Sequence, residues 1–118
     1  MKLLIAGSRN IENFDISPYI PEDVDLIISG GARGIDTLAE NYADKMRISK
    51  LILRPDYKSF KRAAPLRRNE KMIEICDKVL VFWDGKSRGT KYTINYAKKI
   101  GKETEVILLE EIQPGINR

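Results

Sequence analysis

The chain has 118 residues, 42% of them apolar and 32% charged, with 21 lysines and arginines against 17 aspartates and glutamates for a net charge of +4. That balance describes one folded domain, and a chain of this length buries roughly two-thirds of its extended surface without a metal or disulfide staple. A single cysteine, Cys76, and no histidine exclude an internal disulfide, a Cys/His zinc site and every Ser-His-Asp or Cys-His catalytic arrangement.

Five short runs rich in branched apolar residues recur along the chain: Lys2–Ala6, Asp25–Ser29, Lys50–Leu53, Lys78–Trp83 and Glu105–Leu109. None alternates strictly between polar and apolar, which fits strands of a parallel sheet buried on both faces. Pro18 and Pro21 limit the segment after the first run, Ile11–Pro21, to a short helix or turn. Gly34–Ser49 carries Ile35, Leu38, Ala39, Tyr42, Ala43 and Met46 at helical spacing, one apolar stripe over three turns. Asn69–Asp77 places Met72, Ile73 and Cys76 on one helical face, with Cys76 read as a small buried hydrophobe. Thr90–Ile100 does the same with Thr93, Ile94, Ala97 and Ile100, and Gly101 supplies its stop. Strands and helices in this rhythm predict a single-domain, Rossmann-like α/β fold with a doubly wound parallel five-stranded sheet over 1–112 and a fraying tail over 113–118. No stretch approaches the ~20 apolar residues of a membrane span. The apolar start before Gly7 is too short for a secretory segment, so a cytoplasmic protein with no membrane partner, metal or cofactor is expected.

Charge is concentrated in 58–71, where Lys58, Lys61, Arg62, Arg67, Arg68 and Lys71 stand against Glu70 alone, a local charge of +5. Such a segment suits an anionic partner, or else forms a solvated helix start. Tyr57 and Phe60, interleaved with these cations, are read either as the loop's own small core or as rings that stack on single-stranded nucleic acid.

In an open α/β sheet, ligands bind beyond the carboxyl ends of the strands. Three of the five runs end in loops built of Gly, Ser, Thr, Arg and Asp: Gly7-Ser8-Arg9 after the first, Ser29-Gly30-Gly31-Ala32-Arg33-Gly34-Ile35-Asp36 after the second, and Trp83-Asp84-Gly85-Lys86-Ser87-Arg88-Gly89-Thr90 after the fourth. Glycines admit close backbone approach, and the free N–H groups of a helix start bind anions. These loops predict a phosphate-binding crevice. Asp36 falls in the first turn of a helix, where it either caps that helix or holds a ribose hydroxyl. Trp83 either stacks on a base or covers the sheet edge.

The strings GSRNI, SGGARGIDTLAE, RRNEKM and FWDGKSRGTKYTI, in that order over Met1–Val106, resemble the SLOG superfamily, in particular its small stand-alone bacterial and phage branch of the YspA type. The GGxxGID element is similar to the Rossmann-like core of DNA-processing protein A, and the later segment to the Lonely-guy phosphoribohydrolases, which release a free base from a nucleoside 5′-monophosphate. The resemblance implies strand order 3-2-1-4-5, with the three loops lining one crevice at the switch point between the first and fourth strands. It also implies that Arg68, with Asn69 beside it, matches the enzymes' ligand-binding Arg, and that Gly89-Thr90 matches their phosphate-binding Gly-Thr. Where those enzymes place a catalytic Glu, this chain has Thr93, and their Pro-Gly-Gly is replaced by Trp83–Arg88. Arg68 and Asp84 are the candidates for a catalytic role, with Asp36 a second carboxylate that could stand in for the missing Glu. The expected function is binding of a nucleotide or nucleotide-derived phosphorylated ligand. Glycosidic cleavage of a nucleoside monophosphate and single-stranded nucleic acid binding are the alternatives, and a homodimer is compatible with all three.

Overall fold

A computed structural model describes residues 1–109, so the boundary expected at 112 and the tail over 113–118 lie outside the described residues. In chain order the elements are β1 (Lys2–Gly7), β2 (Leu26–Ser29), α1 (Ile35–Met46), β3 (Ser49–Ile52), α2 (Tyr57–Phe60), α3 (Ala64–Ile75), β4 (Lys78–Trp83), α4 (Arg88–Lys99) and β5 (Glu103–Leu108). All the strands pair in parallel in the order β3-β2-β1-β4-β5, giving the Rossmann-like α/β fold expected.

Successive strand residues point to opposite faces, and the continuous apolar runs fill both. Leu3, Ile5, Leu80 and Phe82 pack with Ile35, Ala39 and Ala43 of α1 on one side. Leu4, Val79 and Val81 pack with Met72 and Ile73 of α3, Cys76 just beyond it, and Ile94 and Ala97 of α4 on the other. Burial on both faces holds for β1, β2 and β4. It does not hold for the outer strands. Ser49, Lys50 and Leu51 of β3 are exposed, and β5 is half-buried with exposed ends, because an edge strand has a neighbour on one side only.

The segment between β1 and β2 makes one 3-10 turn, Ser17–Tyr19, and is held by aromatic packing. Phe14 and Tyr19 set their rings 5.6 and 5.5 Å from that of Phe82. Deleting Phe82, fully buried, would cost about 3–5 kcal/mol. Helix boundaries shift from those expected. α1 stops at Met46 because Arg47 takes a left-handed cap (φ 59°) and returns its N–H to the last turn. α3 begins at Ala64, five residues before the apolar spacing becomes visible, with Pro65 in its first turn, where a missing N–H costs nothing.

Candidate ligand-binding site

The exits of β1, β2 and β4 meet at the carboxyl edge of the sheet and border an open crevice of about 480 Å³. Gly7 and Arg9 line it from the first loop, Gly30, Gly31, Ala32 and Asp36 from the second, and Ser87, Gly89 and Thr90 from the third. Arg68 and Asn69 reach it from α3. The remaining residues singled out in the sequence, Ser8, Ser29, Gly34, Trp83, Asp84 and Gly85, do not line this crevice. Asp84 borders an adjoining open cleft of about 500 Å³ shared with Arg9, Asn10, Glu12, Arg33 and Ser87.

Several of those residues build the loops. Ser8 is 1% exposed, and its Oγ accepts the Asp84 N–H at 3.0 Å while its carbonyl accepts from Ile35 N–H at 3.3 Å. One residue thereby ties the first loop to the third loop and to the start of α1. Gly34 (φ 72°) lets the second loop cross the first: a Cβ there would sit 2.5 Å from both the Ser8 and Arg9 carbonyl oxygens. Ser29 Oγ donates to Glu40 Oε2 at 2.9 Å and accepts from Gly31 N–H at 3.2 Å.

The third loop is organised around Asp84, whose Oδ1 accepts the N–H groups of Lys86 (2.8 Å) and Ser87 (2.9 Å). Burial works against that charge, but the two N–H groups, with the side chains of Ser8 and Asn10, outweigh it and hold the carboxyl below its usual range. An ionised carboxylate committed to its own loop has little scope as a general acid. Gly85 turns the chain at φ 82°. Trp83 donates its indole N–H to Ser87 O at 3.1 Å, and its ring packs against the core shared by α3 and α4, so it covers the sheet. α4 then begins. Among the described residues, no acceptor meets the N–H groups of Arg88, Gly89 and Thr90, and a Cβ on Gly89 would meet nothing within 4 Å.

Arg68 turns inward from the basic segment. Its Nη1 donates to Gly30 O (2.5 Å) and Leu53 O (3.0 Å), and its Nε to Asn69 Oδ1 (2.9 Å), so it clamps the β2 exit to the β3 exit. Asp36 is 8% exposed, and its Oδ2 accepts the Ala32 N–H at 3.1 Å. Burial pushes its carboxyl above the usual range, an effect that the Ala32 N–H and the Arg68 charge only partly offset. Its bond is to an amide of the preceding loop and not of α1, so Asp36 braces the second loop where it borders the crevice rather than capping the helix.

Tyr57, read in the sequence as a loop core or a stacking ring, and Thr93, at the place of the enzymes' Glu, also line the crevice, as does Arg54, which was not singled out. Arg54, whose Nη1 donates to Gly31 O at 3.2 Å, follows β3 directly, so the strand-exit rule that picked the other loops would have found it. Tyr57 and Phe60 do not form a small core: they are 60% and 47% exposed. Nearby, Lys58, Lys61 and Arg62 are exposed and make no ion pair among the described residues, whereas Arg67 pairs with Glu70 at 2.9 Å.

Among the described residues, no cluster of three acidic, cysteine or histidine side chains could hold a metal ion, and no helix is long and apolar enough to cross a membrane. Comparison of the chain with protein-family models, with curated proteins and with solved structures gives no match.

Proposed function

We propose that the crevice binds a nucleotide or a nucleotide-derived phosphorylated ligand, which the protein holds and senses rather than turns over. The observation that carries this reading is the start of α4, where three consecutive N–H groups lack an acceptor beside a glycine whose side-chain space is open. A helix start of this kind attracts an anion through its dipole and its free donors. Arg9, Arg54 and Arg68 border the same space and add countercharge for a phosphate. Membership of the SLOG superfamily is part of the same proposal and rests on the motif strings alone.

Binding is favoured over glycosidic cleavage by what stands around the crevice. Thr93, at the place of the enzymes' Glu, is 3% exposed and donates its hydroxyl to Gly89 O at 3.2 Å. Asp36 is the one carboxylate among the described lining residues, and one of its oxygens is occupied by the Ala32 N–H. Cleavage by paired acid and base needs a second such group. A single-stranded nucleic acid is the second reading, favoured by the exposed Tyr57 and Phe60 beside unpaired cations.

A thermal-shift series with nucleoside mono-, di- and triphosphates and NAD tests the reading. At least one is expected to raise the melting temperature. No shift with any of them at millimolar concentration contradicts it, and free base released from AMP would establish the enzyme instead.

A further inference from the structure

The residues that line the crevice include two chemically different groups. One is polar: the N–H groups of Gly89 and Thr90, the paired hydroxyls of Ser87 and Thr90 (3.2 Å) and the side chain of Arg9. The other is apolar and aromatic: Pro55, Tyr57, Pro65 and Met72. Tyr57 stands out there because its ring is 60% exposed and its hydroxyl makes no hydrogen bond among the described residues. A scattered exposed aromatic residue needs no explanation, but this one borders the crevice from a short helix whose start is capped. Asp56 caps the short α2 helix by accepting the Ser59 N–H at 3.1 Å, and the Phe60 N–H returns to Asp56 O at 3.0 Å. Pro55, two residues before it, restricts the backbone that leads into the helix. An exposed aromatic face of this kind is available to stack on a planar group.

We propose that Tyr57 is the base-recognising residue of the crevice, stacking on the planar base of a nucleotide whose phosphate lies at the start of α4. This rests on the reading of the crevice as a nucleotide site and adds that affinity divides into an aromatic half, at Tyr57, and an anionic half, at Gly89 and Thr90. A ligand with the phosphate and sugar but no base satisfies only the second. The base is distinguished by its ring face rather than by its hydrogen-bonding edge, so purines, with the larger face, bind more tightly than pyrimidines.

The test is calorimetric titration of the full chain with AMP, GMP, CMP, UMP and ribose 5-phosphate. The wild type is expected to bind AMP or GMP about tenfold or more tightly than ribose 5-phosphate, from the usual strength of base–aromatic stacking. Tyr57→Ala is expected to bring the nucleotides down to the ribose 5-phosphate level and leave ribose 5-phosphate itself unchanged, while Tyr57→Phe keeps wild-type binding. Because the ring is exposed, neither substitution disturbs the core. Equal binding of nucleotides and ribose 5-phosphate by the wild type, or nucleotide binding unaltered in Tyr57→Ala, overturns the role of Tyr57 and leaves the anion site standing. A parallel loss of ribose 5-phosphate in Tyr57→Ala also overturns it, since the residue would then act on the whole crevice. Failure of the wild type to bind any of the five overturns the nucleotide reading itself, and this proposal with it.

Discussion

Arg68 and Asp36 both approach Gly30. A Cβ on that glycine would lie 2.8 Å from Arg68 Nη1 and 3.0 Å from Asp36 Oδ2, so a guanidinium from α3 and a carboxylate from α1 share one small space at the exit of β2. Each is tied to the loop after β2, Arg68 through Gly30 O and Asp36 through the Ala32 N–H, so each holds that strand exit as well as bordering the crevice.

Arg68→Ala removes two bonds to carbonyl groups, and its cost is expected in stability as well as in binding. Hydrogen bonds from a charged donor are worth more than neutral ones, so a loss of roughly 2–3 kcal/mol is expected. Arg68→Lys is expected to recover only part of it, because one ammonium cannot reach Gly30 O and Leu53 O while a second nitrogen donates to Asn69 Oδ1, as Nη1 and Nε of the guanidinium do. Urea denaturation reads the effect as a fall in the midpoint at constant slope. A midpoint unchanged in Arg68→Ala would show that the clamp contributes nothing to the fold.

Asp36 carries a pH signature. Burial raises its folded-state pKa above the unfolded value of about 3.9, so its favourable contribution is complete below that value and is lost as pH rises through the folded pKa. Above it, the ionised carboxylate costs stability. Asp36→Asn keeps an oxygen for the Ala32 N–H and sheds the charge. Its melting temperature is expected to exceed that of the wild type by a few degrees at pH 8, with the gap closing as pH falls towards 4. A gap independent of pH, or one that widens in acid, would mean that the carboxylate is not disfavoured by its surroundings.

Two glycines separate scaffold from ligand space. A Cβ on Gly7 would strike Phe82 O and lie 2.6 Å from Ile35 Cγ1, whereas one on Gly89 meets nothing within 4 Å. Gly7→Ala is expected to lower the melting temperature sharply or abolish folding. Gly89→Ala, in the first turn of α4, is expected to be neutral or to stabilise by up to about 1 kcal/mol, by reducing the freedom of the unfolded chain. Gly89→Val, equally well folded by circular dichroism, is expected to lose nucleotide binding. Retained binding in Gly89→Val would move the ligand away from α4.

What was legible in the sequence follows burial. β1, β2 and β4 read clearly because apolar residues fill both faces, whereas β5 starts at Glu103, two residues before its apolar run, its Glu103 and Glu105 side chains paired with Lys78. The first turns of α3 were hidden because the cations of the basic segment break the apolar periodicity on which helix reading depends. At the site, loop composition picked out three strand exits that border one crevice, since glycine and hydroxyl residues cluster wherever chains cross tightly. It did not distinguish the residues that make the crossing, such as Ser8, Ser29 and Gly34, from those that border the open space, such as Gly89 and Thr90. Ser8 and Thr90 have similar side chains and near-equal burial, and only the fold reveals that one hydroxyl ties two loops together while the other faces its neighbour at a helix start.

The anion-binding role of α4 is tested most directly by following backbone amide resonances of isotope-labelled protein as a nucleoside monophosphate is added. The account predicts that the N–H groups of Arg88, Gly89 and Thr90 shift most and saturate together, as three donors closing on one phosphate. Amides at those positions that stay fixed while others move, for instance along Lys58–Arg62, would contradict it.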